Sequence, residues 1–204
     1  MISDTRVKFD ISRQLEERKQ NMNYDWKLIL AANHLRRGDL ISHATESVVG
    51  LATSVYSPVG FNKLMTLKSR AAAKKFLVIA ANLSQVQEVA DIEVPLQVEI
   101  LESWPGAVTW VLPLSRQAPP WLATEEGEVA IRMTGHKQAN QLCELSGPLV
   151  STSANRAGKL PAKTLHRARI YFGQEIDFYL PGELGGSVRP SKIIHGINGN
   201  IIRE

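Results

Sequence analysis

A single cysteine, Cys143, occurs in the 204 residues of this chain, so no internal disulfide can staple it. It lies in "QANQLCEL", an apolar helical pattern that reads as a buried thiol rather than a nucleophile, and its solitude suits a reducing compartment. No run approaches the roughly 18 apolar residues of a membrane span. The first twenty residues, "MISDTRVKFDISRQLEERKQ", mix charges of both signs without an apolar core. The expectation is a soluble, cytoplasmic protein with no membrane attachment. Neither "GxxxxGK[ST]" nor "GxGxxG" is present, so a nucleotide site here must be of another kind than the common phosphate loops. Repeats, low-complexity tracts and long Pro/Gly/Ser linkers are also missing, which argues against a division into two domains.

Acidic residues are absent from two stretches, and there the net charge of +4 concentrates. Residues 61–75 carry Lys63, Lys68, Arg70, Lys74 and Lys75, and residues 147–174 carry Arg156, Lys159, Lys163, Arg167 and Arg169. Two readings stand side by side: two solvated helix faces, or one electropositive cleft that attracts phosphates.

The length suits one domain with its own core. Its boundary is expected near residue 25, with 1–24 an N-terminal extension and 25–204 the domain. From Trp26 the pattern turns helical, with Trp26, Leu28, Ile29, Ala32 and Leu35 able to share a face and Gly38 as a stop. Strand-like and helix-like runs then alternate: "LISHA", "FNKLMTLK", "FLVIAA", "LQVEILESW", "AVTWVLPL", "EVAIRMT", "KQANQLCELSG", "PLVSTSA" and "AKTLHRARIYFG". Alternation of this kind predicts an α/β layer architecture. The closing "SKIIHGINGNIIRE" predicts an antiparallel hairpin around Asn198-Gly199, and hence a mixed sheet.

Three constellations could carry chemistry. In "PLVSTSANRAGKLP" the strand ends among Ser151, Thr152, Ser153 and Asn155, and ligands in open α/β sheets favour such carboxyl ends; the same hydroxyls would also serve as loop or helix caps. In "LKSRAAAKK", Lys68 and Arg70 are expected to be partly exposed cleft residues that offer a point charge and a planar fork to phosphate. In "SHATESVVGLAT", Glu46 is either a partner for a basic residue or ordinary turn chemistry. Arg132, in the apolar run "VAIRMT", points away from Val129, Ile131 and Met133 and either snorkels to solvent or faces a site.

In order and spacing, "ATESVVGL", "LKSR", "WPGAVTWVLP", "VAIRMTGHK", "PLVSTSANRAGKLP" and "PGELGGSVRPSKI" resemble the YrdC/TsaC family of threonylcarbamoyl-AMP synthases, in its short single-domain form, over about residues 25–204. The resemblance implies a YrdC-like fold: a twisted mixed sheet flanked by helices, with an open basic concave surface. It implies a nucleotidyltransferase that joins L-threonine, bicarbonate or CO2 and ATP, with Mg2+, into threonylcarbamoyl-adenylate and pyrophosphate. That product then passes to a threonylcarbamoyl-transferase complex that modifies adenosine in tRNA. Residue by residue, it implies Lys68 and Arg70 as the catalytic basic pair at the nucleotide. Ser151, Ser153, Asn155, Arg189 and Ser191 would also face the nucleotide, and Thr45, Thr109 and Arg132 the amino-acid side. The chain departs from the family pattern at Ala44, where a Pro is usual, at Val48-Val49, where an aromatic follows, at Ala52 in place of Gly and at Ala71 in place of Pro. The alternative is a non-catalytic paralogue that holds tRNA or rRNA on the same basic surface, although Tyr171 and Phe172 are the nearest aromatic pair available for base stacking.

Overall fold

The computed structural model describes residues 25–68, 76–187 and 191–204. The chain enters helix α1 (Trp26–Arg36), where the Asp25 side chain accepts from Lys27 N as an N-cap, and leaves it through Gly38 at φ +82°, a left-handed conformation that costs glycine little. Leu28, Ala31, Ala32 and Leu35 are buried. Trp26 and Ile29 point outward instead, at 66% and 36% exposure, so the apolar stripe is narrower than the sequence pattern suggests.

The remaining elements are β1 (Ile41–Ala44), β2 (Val49–Ser54), α2 (Pro58–Lys68), β3 (Leu77–Ala80), α3 (Leu83–Val89), α4 (Gln97–Glu102), β4 (Val108–Pro113), β5 (Glu128–Met133), α5 (Lys137–Ser146), β6 (Leu149–Ser153), α6 (Leu165–Phe172), β7 (Phe178–Tyr179), β8 (Lys192–His195) and β9 (Ile201–Arg203). The strands form one nine-stranded sheet in the order β7-β1-β2-β6-β3-β5-β4-β8-β9. Three of its pairs are parallel (β1 with β7, β3 with β5, β4 with β8), and the others are antiparallel, β8 and β9 forming the terminal hairpin. The mixed α/β sheet is as the sequence predicts. Strands β2 and β7 and helix α3 are additional to the runs read from the sequence.

Side-chain alternation along the strands sorts the core into two layers. Leu51, Val78, Val129, Ile131 and Val150 pack with Leu64 of α2, Val86 of α3, Ile100 of α4 and Phe172 of α6. Ile41, Ala52, Ile79 and Leu149 pack on the other face with α1 and with Ala139, Leu142 and Cys143 of α5. Cys143 is fully buried, and burial pushes its thiol well above the usual range, in line with an inert core residue. Moving two residues along β1, β2 and β6 on this second face replaces apolar residues by His43, Gly50 and Ser151, and Arg132 of β5 shares the face. His43, Ser151 and Arg132 thus lie on the same side as α1 and α5, whereas Ser42 and Thr53 are buried on the other face.

Candidate functional site

Lys68, at the last turn of α2, reaches the end of β6. Its ammonium donates to the Ser153 carbonyl at 2.7 Å, the Asn155 carbonyl at 2.6 Å and Asn155 Oδ1 at 3.0 Å. The residue is only 5% exposed, which corrects the expectation of a partly exposed lysine. The strand-end carbonyls turn toward it, and Lys68 is one of the buried residues of its helix with Leu64 and Leu67. Asn155 is engaged in the same knot: Oδ1 also accepts from Ser153 Oγ at 2.7 Å, and Nδ2 donates to the carbonyls of Arg156 at 3.1 Å and Lys159 at 2.8 Å. With two donors at its oxygen and two acceptors at its nitrogen, the amide is fully used. Asn155→Ala is therefore expected to lower stability by about 2 kcal/mol, and Asn155→Asp, which keeps the acceptor toward Lys68, by less; urea unfolding of the three proteins measures the order.

The second group lies around the loop after β1. Thr45 Oγ1 donates to the Val48 carbonyl at 2.6 Å, closing the turn. Glu46 accepts from Arg132 at 2.9 Å and from Thr134 Oγ1 at 2.8 Å. Arg132 is 6% exposed, so it faces inward, and Glu46 is its charge partner. Burial acts against the guanidinium's charge, and the neighbouring Glu46 carboxylate opposes that effect. Its Nε is buried without a hydrogen-bond partner among the described residues. Residues 183–187 cross this loop: Gly185 N donates to the Thr45 carbonyl at 3.0 Å and Ser187 N to the Glu46 carbonyl at 2.8 Å. A Cβ at Gly185 would stand 3.1 Å from Glu46 Cα, which is the close approach that favours glycine there. His136 caps α5 through Nδ1, which accepts from Ala139 N, so its Nε2 donates to the Glu183 carbonyl at 2.9 Å and holds the crossing segment.

Between these groups Ser151 meets His43. His43 Nε2 and Ser151 Oγ are 3.2 Å apart, and His43 Nδ1 is 3.0 Å from the Ala44 carbonyl. Both residues are buried. The third group is at β4 and β8: Thr109 Oγ1 donates to Ser191 Oγ at 3.0 Å, and Arg203 donates to the Ser191 carbonyl and hydroxyl at 2.6 and 3.0 Å. Arg70 and Arg189 lie outside the described residues. The structure thus ties Lys68 to Ser153 and Asn155, Arg132 to the Thr45–Glu46 loop, and Thr109 to Ser191. His43, Thr134, His136 and Arg203 are further polar members of these groups. A histidine two residues after buried Ile41 on one short strand is the sequence signal for the first of them.

A family model named for Sua5, YciO and YrdC and described as "Telomere recombination" matches residues 33–204. The chain is 39% identical over 180 residues to a protein named threonylcarbamoyl-AMP synthase from Methylococcus capsulatus, covering 87% of this chain and 97% of that one. It is 38% identical over 181 residues to a protein of the same name from Nitrosococcus oceani, covering 88% and 98%. A solved structure of Sua5 from P. abyssi in complex with L-threonine superposes with a TM-score of 0.75 at 31% identity, over 83% of this chain. The chain spans about half of that protein's length, 51%. The structure of YciO from E. coli, at 18% identity and a TM-score of 0.74 over 87% of this chain and 88% of that one, shares the fold.

Proposed function

From the premise that the chain belongs to the Sua5/YciO/YrdC family, we propose that it is a threonylcarbamoyl-AMP synthase that converts L-threonine, bicarbonate or CO2 and ATP into threonylcarbamoyl-adenylate and pyrophosphate. The relatives bearing that enzyme's name match it over nearly their whole length, which favours catalysis over a non-catalytic RNA-binding module. In the reaction the threonine amine adds to CO2 with loss of a proton, or to bicarbonate with loss of water, to give a carbamate. A carbamate oxygen then attacks the α-phosphorus of ATP, and the bond to pyrophosphate breaks.

The observation that carries the reading is the Lys68 ammonium fixed at the carboxyl end of β6 by Ser153 and Asn155. A cation held there before the substrate arrives stabilises charge growing on the phosphates without having to reorganise. In this reading Arg70, two residues on in the sequence, supplies a second cation, and Arg189 and Ser191 are further nucleotide contacts. On the amino-acid side, the unpartnered Nε of Arg132 suits the threonine carboxylate, with Thr45 and Thr109 as neutral contacts. Mg2+ enters this scheme as the ion chelated by the triphosphate of its substrate. Transfer of the product to a threonylcarbamoyl-transferase complex, with tRNA as the final acceptor, completes the proposal. None of the described helices is long and apolar enough to cross a membrane.

The test is pyrophosphate release by the purified protein with ATP and Mg2+. Release is expected only when threonine and bicarbonate are both present, and to fall when serine or valine replaces threonine. RNA binding without any pyrophosphate would support the non-catalytic reading instead.

A further inference from the structure

We propose that His43 is a positioning residue that fixes the hydrogen-bond sense of Ser151, so that the Ser151 hydroxyl can only accept from a substrate N–H or O–H. The proposal rests on the adenylate-forming reading for its substrates, but its geometry is independent of it. The Ala44 carbonyl 3.0 Å from His43 Nδ1 can only accept, so Nδ1 carries a hydrogen. In the neutral imidazole the lone pair is then on Nε2, and the hydroxyl 3.2 Å away must donate to it. Full burial holds the ring neutral: it lowers the pKa of His43 to about 4, helped by the nearby Arg132 charge and opposed by the Ala44 hydrogen bond and the Glu46 carboxylate.

The arrangement is built into the sheet. His43 and Ser153 are both register partners of Gly50, and Ser151 pairs with Ala52. His43 therefore reaches Ser151 diagonally across Gly50. A Cβ at Gly50 would stand 2.8 Å from His43 Nε2 and 3.1 Å from Thr45 Cγ2, so glycine keeps the crossing open. Ser151, with its hydrogen spent on His43, presents lone pairs on the face it shares with Arg132. Phosphates, carboxylates and bicarbonate approach chiefly as acceptors and would find no donor in it. The substrate groups that match are the threonine amine and hydroxyl, or the ribose hydroxyls and the adenine amine. The site thereby has a fixed acceptor in Ser151, distinct from the cation of Lys68, whose three hydrogens are held by Ser153 and Asn155.

The direct test is the tautomer of His43 by nitrogen-15 NMR on the unmodified full chain. A hydrogen on Nδ1 and a pyridine-type Nε2 at neutral pH are expected; a hydrogen on Nε2 overturns the proposal whether or not the protein makes the adenylate. The second test compares His43→Gln, whose side-chain oxygen can still accept from Ser151, with His43→Leu. His43→Leu is expected to raise KM for threonine or for ATP about three- to tenfold, with a smaller change in kcat. His43→Gln is expected to recover most of that, and the leucine effect to vanish in a Ser151→Ala background. The substrate whose KM moves identifies the donor. Equal losses in both variants, or an effect that adds to Ser151→Ala, would make His43 a packing residue only. Failure of the unmodified protein to release pyrophosphate would remove the synthase reading and leave the tautomer result standing.

Discussion

Lys68→Ala is expected to lower catalytic efficiency by about a hundredfold to a thousandfold, the range seen when one preorganised electrostatic group is removed from a site. It should also lower stability by about 2–4 kcal/mol, since the carbonyls of Ser153 and Asn155 and the Asn155 amide lose a charged donor in a place that is 5% exposed for the lysine itself. The two effects separate in Lys68→Met, which keeps an unbranched apolar stem at this buried position. Turnover should be equally poor in the methionine variant, with part of the stability restored. Arginine is not a conservative replacement here, because its planar fork cannot direct three hydrogens at this cluster of oxygens. Titration with a nonhydrolysable ATP analogue, set beside urea unfolding, distinguishes the contributions; a methionine variant with normal turnover would remove Lys68 from the chemistry.

The largest stability loss is expected at Glu46. Glu46→Ala leaves the Arg132 guanidinium buried, with side-chain exposure of 7%, and takes the acceptor from Thr134 Oγ1. Orphaning a buried charge costs about 3–5 kcal/mol, whereas replacing both members of a buried pair by apolar groups is often nearly neutral. The double variant Glu46→Leu with Arg132→Met should therefore be more stable than Glu46→Ala, while its threonine-dependent activity falls at least as far, because the guanidinium offered to the carboxylate is gone. Urea unfolding of the single and double variants gives the comparison. Losses that simply add would mean that the two residues act independently, contrary to their 2.9 Å contact.

The alternation of strand and helix and the Asn198-Gly199 hairpin were legible because local periodicity and turn chemistry carry them. Strand β2 was harder to read: Gly50, Ala52, Thr53 and Ser54 are small, and their strand identity comes from pairing on both sides with β1 and β6. Helix α3 spans seven residues, about two turns, and its Asn82 cap is the main local sign of it. In the site, residue types were legible but not their surroundings. "LKSR" identifies Lys68 as a cation at a helix end without showing that the turn after β6 encloses it. Glu46 and Arg132 are 86 positions apart, and only the fold decides between charge pair and turn chemistry. His43 meets Ser151 across 108 positions, a contact that no spacing rule anticipates.

The measurement closest to the central claim is the identity of the product. The protein, incubated with ATP, Mg2+, L-threonine and carbon-13-labelled bicarbonate, should yield threonylcarbamoyl-adenylate with the label in its carbamoyl carbon and one pyrophosphate per adenylate, detected by mass spectrometry. Pyrophosphate released without labelled adenylate, or an adenylate that forms equally well without threonine, would contradict it.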